Sequence, residues 1–173
     1  TYTPEMASGM ARLCGRADIV VPNMTEAHHL LEREYDPGPY TRQQIEGILK
    51  GLCALGPRMA VLTGVWLKEG SLGTACYDAA TGEAELYLTD RIEGFYHGTG
   101  DLFASALLGG LLNGMSLNAA CETATEFTWR TIETTHEKCA DHRFGPKFEC
   151  HLPWLGEKME ACRKTIANPA DLR

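Results

Sequence analysis

In this 173-residue chain, Gly98-Thr99-Gly100-Asp101 is the stretch whose residue types and spacing are best suited to chemistry. Two residues without a Cβ let backbone N–H groups come close to a ligand. The helix expected from about Asp101 adds the partial positive charge of its N-terminus, so a phosphoryl oxygen would be favoured there. An aspartate is a poor anion receptor, but it can act as a base that takes the proton of an attacking hydroxyl during phosphoryl transfer. The plainer reading is an ordinary helix start, with Asp101 or Thr99 as the cap. No Gly-Lys-Ser/Thr closes the stretch, so it is not a Walker A loop.

Two other turns carry suitable groups. In "PNMTE", Asn23 and Glu26 are three residues apart across a strand-to-helix turn. An amide oxygen and a carboxylate at that spacing could both reach a hydrated Mg²⁺ or its phosphate ligands, since Mg²⁺ keeps waters and needs few protein oxygens. They are equally a turn asparagine and a first-turn glutamate complementing the helix dipole. Thr63, at the end of an apolar run with Gly64 beside it, offers a hydroxyl and a backbone to a nucleotide phosphate, although threonine is also an ordinary strand former. Cys139, His142, Cys150 and His151 invite a zinc reading, but no C-x-x-C completes a ligand set. His28 and His29 read as a solvated or partly packed pair, and Trp66, Trp129 and Trp154 as packing residues. No G-x-S-x-G elbow is present for a serine nucleophile.

The elements that must position these groups alternate. "MASGMARLCGRAD" suggests a helix, and "ADIVVPN" a short strand whose continuous apolar character suits a parallel sheet covered on both faces. "TEAHHLLERE" restarts at helical period with Thr25 as the expected cap. After "DPGPY", Thr41 is placed to cap "RQQIEGILKGLCAL", with Ile45, Ile48, Leu49 and Leu52 on one face. "RMAVLTGV" gives a second buried strand. "SLGTACYD" and "EAELYLTD" flank a connection of hairpin length and should pair antiparallel. The nearly uncharged run from Leu102 to Leu112 predicts a helix buried on every side. A serine-capped helix then follows through Leu117, Cys121, Ala124 and Thr131, with a short one over "GEKMEACRKTI". The expectation is an α/β layered fold in a single domain spanning 1–173, with a mostly parallel sheet, one antiparallel hairpin and flanking helices.

Composition narrows the partners. A net charge of −7 with no block of Lys or Arg argues against nucleic acid or an anionic membrane surface. Seven cysteines, an odd number without C-x-x-C, read as reduced thiols of a cytoplasmic protein. The Leu102–Leu112 run falls well short of the roughly 20 residues that span a bilayer.

Together, "ADIVVPNMTEAHHLL", "VLTG" and "FYHGTGDLFASALLGGLLNG", in that order, resemble the C-terminal portion of a pyridoxal kinase of the ribokinase-like superfamily. "RFGPKFECHLPWL" is similar to the closing segment of bacterial members. The resemblance implies ATP-dependent phosphorylation of the 5′-hydroxymethyl group of a B6 vitamer, with Mg²⁺ and a monovalent cation as companion ions. It implies that Asp101 is the base and that Gly98, Thr99 and Gly100 form the anion hole. It places Asn23 and Glu26 in the Mg²⁺ and phosphate region, Thr63 on ATP phosphate, and Ile92 and Tyr96 near the nucleotide pocket. Gly64 replaces the serine of some members, which leaves only its backbone to contact nucleotide. Thiamin-pathway hydroxymethylpyrimidine kinases resemble this family but often carry cysteine where Asp101 stands. The family's N-terminal part has no counterpart before Thr1. A truncated chain with an open sheet edge is therefore expected, forming a homodimer or larger assembly. The alternatives are a hydroxymethylpyrimidine or sugar kinase of the same superfamily, or a non-catalytic binding module made from a truncated kinase.

Overall fold

The computed structural model describes residues 4–138 and 145–167. The chain divides into two compact units, Thr1–Asp90 and Arg91–Arg173.

In the first unit, helix α1 (Pro4–Cys14) leads to a two-residue strand β1 (Ile19–Val20), then α2 (Met24–Leu30) and α3 (Arg42–Ala54). Strands β2 (Met59–Val65), β3 (Ser71–Asp78) and β4 (Glu83–Asp90) follow. The sheet order is β1-β2-β3-β4, with β1 and β2 parallel and the other pairs antiparallel. The first strand is thus shorter than its apolar run suggests. Pro22, which has no N–H for the ladder, lies two residues past its end. On its other side, β1 pairs with no strand among the described residues.

The expected face of α3 is borne out: Ile45, Ile48, Leu49 and Leu52 are buried and pack with Ala27, Ala60, Leu62, Val65 and Ala75. Thr41 caps this helix, and Gln44 completes the reciprocal box. The burial of Ala60, Val61 and Leu62 in succession matches the continuous apolar run of β2. Thr63 does not end that strand, which runs on to Val65 through an irregularity at Gly64.

In the second unit, α4 (Thr99–Leu112) packs along α5 (Leu117–Lys138). A short 3₁₀ turn (Glu149–His151) then leads into α6 (Leu152–Ala167), which begins four residues before the expected Gly156. Ser116 caps α5 through its hydroxyl, 3.2 Å from Ala119 N. The threonines that weaken α5 as an isolated helix turn their hydroxyls inward: Thr125, Thr131 and Thr135 donate to carbonyls one turn back at 2.6–2.8 Å. One expectation fails here. Helix α4 is not buried on every side: Phe103, Ala106, Leu107 and Gly110 face inward, whereas Asp101, Ser105, Leu108 and Leu112 form an exposed row. Beyond Asp101 no charged residue marks an outer face, so hydropathy could not reveal that row.

Candidate functional site

Within residues 1–90, the turn after β1 lies beside Thr63 of β2. Asn23 and Thr63 form an isolated parallel bridge, and Thr63 N donates to the Pro22 carbonyl at 3.1 Å. The cap of α2 is Asn23, not Thr25. Asn23 Oδ1 accepts from Glu26 N and Glu26 Oε2 accepts from Asn23 N, both at 2.9 Å, which closes a full capping box. With Asn23 as the cap, Thr25 falls inside the first helical turn.

This geometry limits what the pair can offer a metal. Asn23 Oδ1 and Glu26 Oε2 are engaged, while Glu26 Oε1 meets no partner among the described residues, and both residues are exposed. Among the described residues no group of three or more His, Cys, Asp or Glu is arranged for a metal. The donor set therefore suits a hydrated Mg²⁺ carried mainly by phosphate and water, and does not form a protein cage. Gly64 has φ +73°, and an added Cβ would meet nothing within 4 Å. A serine at this position would be strained by its backbone rather than by crowding.

Within residues 91–173, the approach to α4 is held by a side-chain clamp. Tyr96 Oη lies 2.9 Å from the Glu93 carbonyl and 2.8 Å from His136 Nδ1. The hydroxyl has one proton, and a carbonyl can only accept, so Tyr96 donates to Glu93 and His136 Nδ1–H donates to Tyr96. Burial pushes the Tyr96 hydroxyl's pKa up. Ile92 and Tyr96 are half-buried. The histidine was missed in the sequence; it lies forty residues from Tyr96, and no local pattern links them.

The start of α4 differs from an ordinary cap. Gly98 sits at φ 84°, in the left-handed region, and makes no side-chain cap bond. The Thr99 hydroxyl donates to the Tyr96 carbonyl at 3.1 Å. The backbone ladder begins with Leu102 N to Gly98 O at 3.0 Å, and among the described residues the N–H groups of Thr99, Gly100 and Asp101 meet no acceptor. The Asp101 carboxylate is exposed and has no hydrogen bond or ion pair among them. Neither Thr99 nor Asp101 caps the helix, so its leading donors stay open to an anion.

The remaining groups have structural partners. His28 is buried, with Nδ1 2.7 Å from the Met24 carbonyl and its ring edge-on to Tyr35, while His29 is exposed. Cys150 contacts the Lys147 carbonyl and His151 Nε2 lies 2.8 Å from the Thr134 hydroxyl. Cys139 and His142 fall outside the described residues. Trp66 donates to the Pro37 carbonyl at 3.0 Å, and Trp154 has Arg130 and Lys158 over its ring.

The mixed, helix-flanked sheet and the open glycine turn ahead of an aspartate define a ribokinase-like kinase fold. Residues 2–147 match the phosphomethylpyrimidine kinase family, and the chain belongs to it. Among solved structures, a Bacteroides thetaiotaomicron protein described as a phosphomethylpyrimidine kinase, in a crystal form with pyridoxal, is 28% identical. It superposes with a TM-score of 0.84, over 90% of this chain and 55% of its own. Pyridoxal kinase from Lactobacillus plantarum is 29% identical, with a TM-score of 0.77, over 89% of this chain and 54% of its own. An ADP complex of Bacillus subtilis pyridoxal kinase is 28% identical, with a TM-score of 0.66, over 77% and 51%. The chain thus spans about half the length of these solved relatives. A search of curated protein sequences finds no significant match.

Proposed function

We propose that this chain is the nucleotide- and phosphate-handling part of an ATP-dependent kinase that phosphorylates the 5′-hydroxymethyl group of vitamin B6. The observation that carries the reading is the start of α4, where three N–H groups that meet no acceptor among the described residues stand beside a carboxylate with no partner among them. The relatives holding pyridoxal and ADP support the two substrate classes.

In the proposed reaction the vitamer hydroxyl oxygen bonds to the γ-phosphorus, the bond to the ADP oxygen breaks, and the hydroxyl proton passes to the Asp101 carboxylate. The N–H groups of Thr99, Gly100 and Asp101, freed by the left-handed turn at Gly98, hold the oxygens of the moving group. Most of the acceleration then comes from positioning and charge stabilisation. Thr63 and the Gly64 backbone serve ATP phosphate, with Ile92 and Tyr96 near the nucleotide. Glu26 Oε1, with Asn23 beside it, would hold Mg²⁺, which when bound neutralises phosphate charge.

The family match favours a second reading, a hydroxymethylpyrimidine kinase. Aspartate at 101, where those enzymes often carry cysteine, argues for the B6 branch. A coupled assay of ADP release with pyridoxal, hydroxymethylpyrimidine and a sugar panel decides between them. Turnover of pyridoxal that Asp101→Asn abolishes supports the proposal; turnover of hydroxymethylpyrimidine alone overturns it, and equal background in both proteins points to a silent module.

We place the protein in the cytoplasm, a reading supported by the lack of a disulfide at the six described cysteines; no described helix is long and apolar enough to cross a membrane. Self-association is supported by the exposed Met6, Met10 and Leu13 of α1, the exposed Leu108 and Leu112 of α4, and the side of β1 that pairs with no strand among the described residues. Sedimentation as a compact monomer would overturn it.

A further inference from the structure

The last turn of α5 braces the start of α4 from two directions. His136 Nδ1–H donates to Tyr96 Oη at 2.8 Å, and the Tyr96 carbonyl accepts from the Thr99 hydroxyl at 3.1 Å. A line of hydrogen bonds therefore runs from α5 through Tyr96 to the first residue of α4. The Tyr96 ring is closely seated, since an added Cβ on Gly94 would come within 2.8 Å of its Oη. One residue before His136, the Thr135 hydroxyl accepts from Lys147 N at 2.8 Å, and the neighbouring Pro146 stands 4.0 Å from where a Cβ on Gly98 would lie.

His136 is exposed and Tyr96 half-buried, so the bond between them adds little to the core. What it fixes is the backbone direction where the N–H groups of Thr99, Gly100 and Asp101 meet no acceptor among the described residues. Hydrogen bonds weaken steeply with misalignment, so donors kept for a ligand need support from outside their own helix. We infer that His136 is a positioning residue of the phosphoryl site: through Tyr96 it holds the Gly98–Asp101 turn so that its N–H groups converge on an incoming phosphate. The inference rests on the kinase reading for the identity of that anion, and gives His136 no part in the proton transfer.

Calorimetry with tripolyphosphate reads the turn without needing turnover. His136→Ala is expected to weaken binding roughly three- to tenfold, the worth of one hydrogen bond, while Tm moves by less than about 2 °C. His136→Asn, which keeps an N–H close to the place of Nδ1, should restore most of the affinity. Tyr96→Phe should weaken binding as His136→Ala does, and the double variant no further than either, because both cut the same line. Unchanged binding by His136→Ala overturns the inference. So do additive losses in the double variant, a loss that His136→Asn does not restore or that only follows a fall in Tm, and failure of the unmutated chain to bind tripolyphosphate. The two readings fail separately. Normal tripolyphosphate binding by His136→Ala sinks the positioning role and leaves the Asp101 base standing, whereas undiminished transfer by Asp101→Asn sinks the base and leaves the positioning role.

Discussion

The starts of α2 and α4 look alike in the sequence, each a short polar turn with an acidic residue in the first helical turn, yet they treat their backbone donors in opposite ways. At α2, Asn23 and Glu26 satisfy each other's N–H groups in a closed box. At α4, Gly98 turns left-handed without a side-chain cap, and among the described residues three N–H groups and a carboxylate meet no partner. A closed start stabilises its own helix, whereas an open one gives up that stabilisation and keeps its donors for a ligand. The contrast sets a carboxylate with one oxygen committed to capping, Glu26, against one with no partner among the described residues, Asp101.

Asp101→Asn should sharpen the contrast most. As the proposed base, its loss should lower turnover at least about 100-fold with nucleotide affinity little changed, measured by coupled assay and calorimetry. A fall in affinity without a fall in turnover would recast Asp101 as a binding residue. Gly98→Ala comes next. An added Cβ would come no nearer than 4.0 Å to Pro146, so the cost is the left-handed backbone itself, about 1–2 kcal/mol in denaturant unfolding. No loss of stability there would mean that the turn does not need glycine.

Asn23→Ala should remove about 1 kcal/mol by opening the α2 box. Glu26→Gln, which keeps an acceptor for Asn23 N, should leave stability nearly unchanged. If Glu26 also holds Mg²⁺, that variant raises the Mg²⁺ concentration needed for turnover; an unchanged requirement confines Glu26 to capping.

The smallest effect is expected at Arg58, which pairs with Asp78 through two hydrogen bonds at 2.9 and 3.1 Å. The Arg58 hydrogen bond holds the Asp78 carboxyl below its ordinary value of 3.8. Because the folded pKa is depressed, the pair stabilises above that ordinary value and the contribution fades as pH falls through the folded one. Arg58→Met should therefore show a small loss of Tm at pH 7 that shrinks in acid and in salt, since the arginine is largely exposed. A loss independent of pH would point to packing of the arginine stem.

Much of this was legible in the sequence. The Thr41 cap, the face of α3 and the β3–β4 hairpin each depend on residues a few positions apart, and each appears as expected. The misread points arose where local signals competed or vanished. Asn23 and Thr25 are both good caps, and only the reach of Glu26 back to Asn23 N selects the first. In α4 an apolar run without charges hides which row faces water. The Tyr96–His136 clamp has no local signal.

The chain alone determined which segments become helices and strands and where glycine had to stand, because periodicity, capping and turn geometry act over a few consecutive residues. Tertiary structure alone decided which polar groups remain unsatisfied. Whether a donor is free depends on every acceptor that folding brings within about 3 Å of it, and most of those come from distant parts of the sequence.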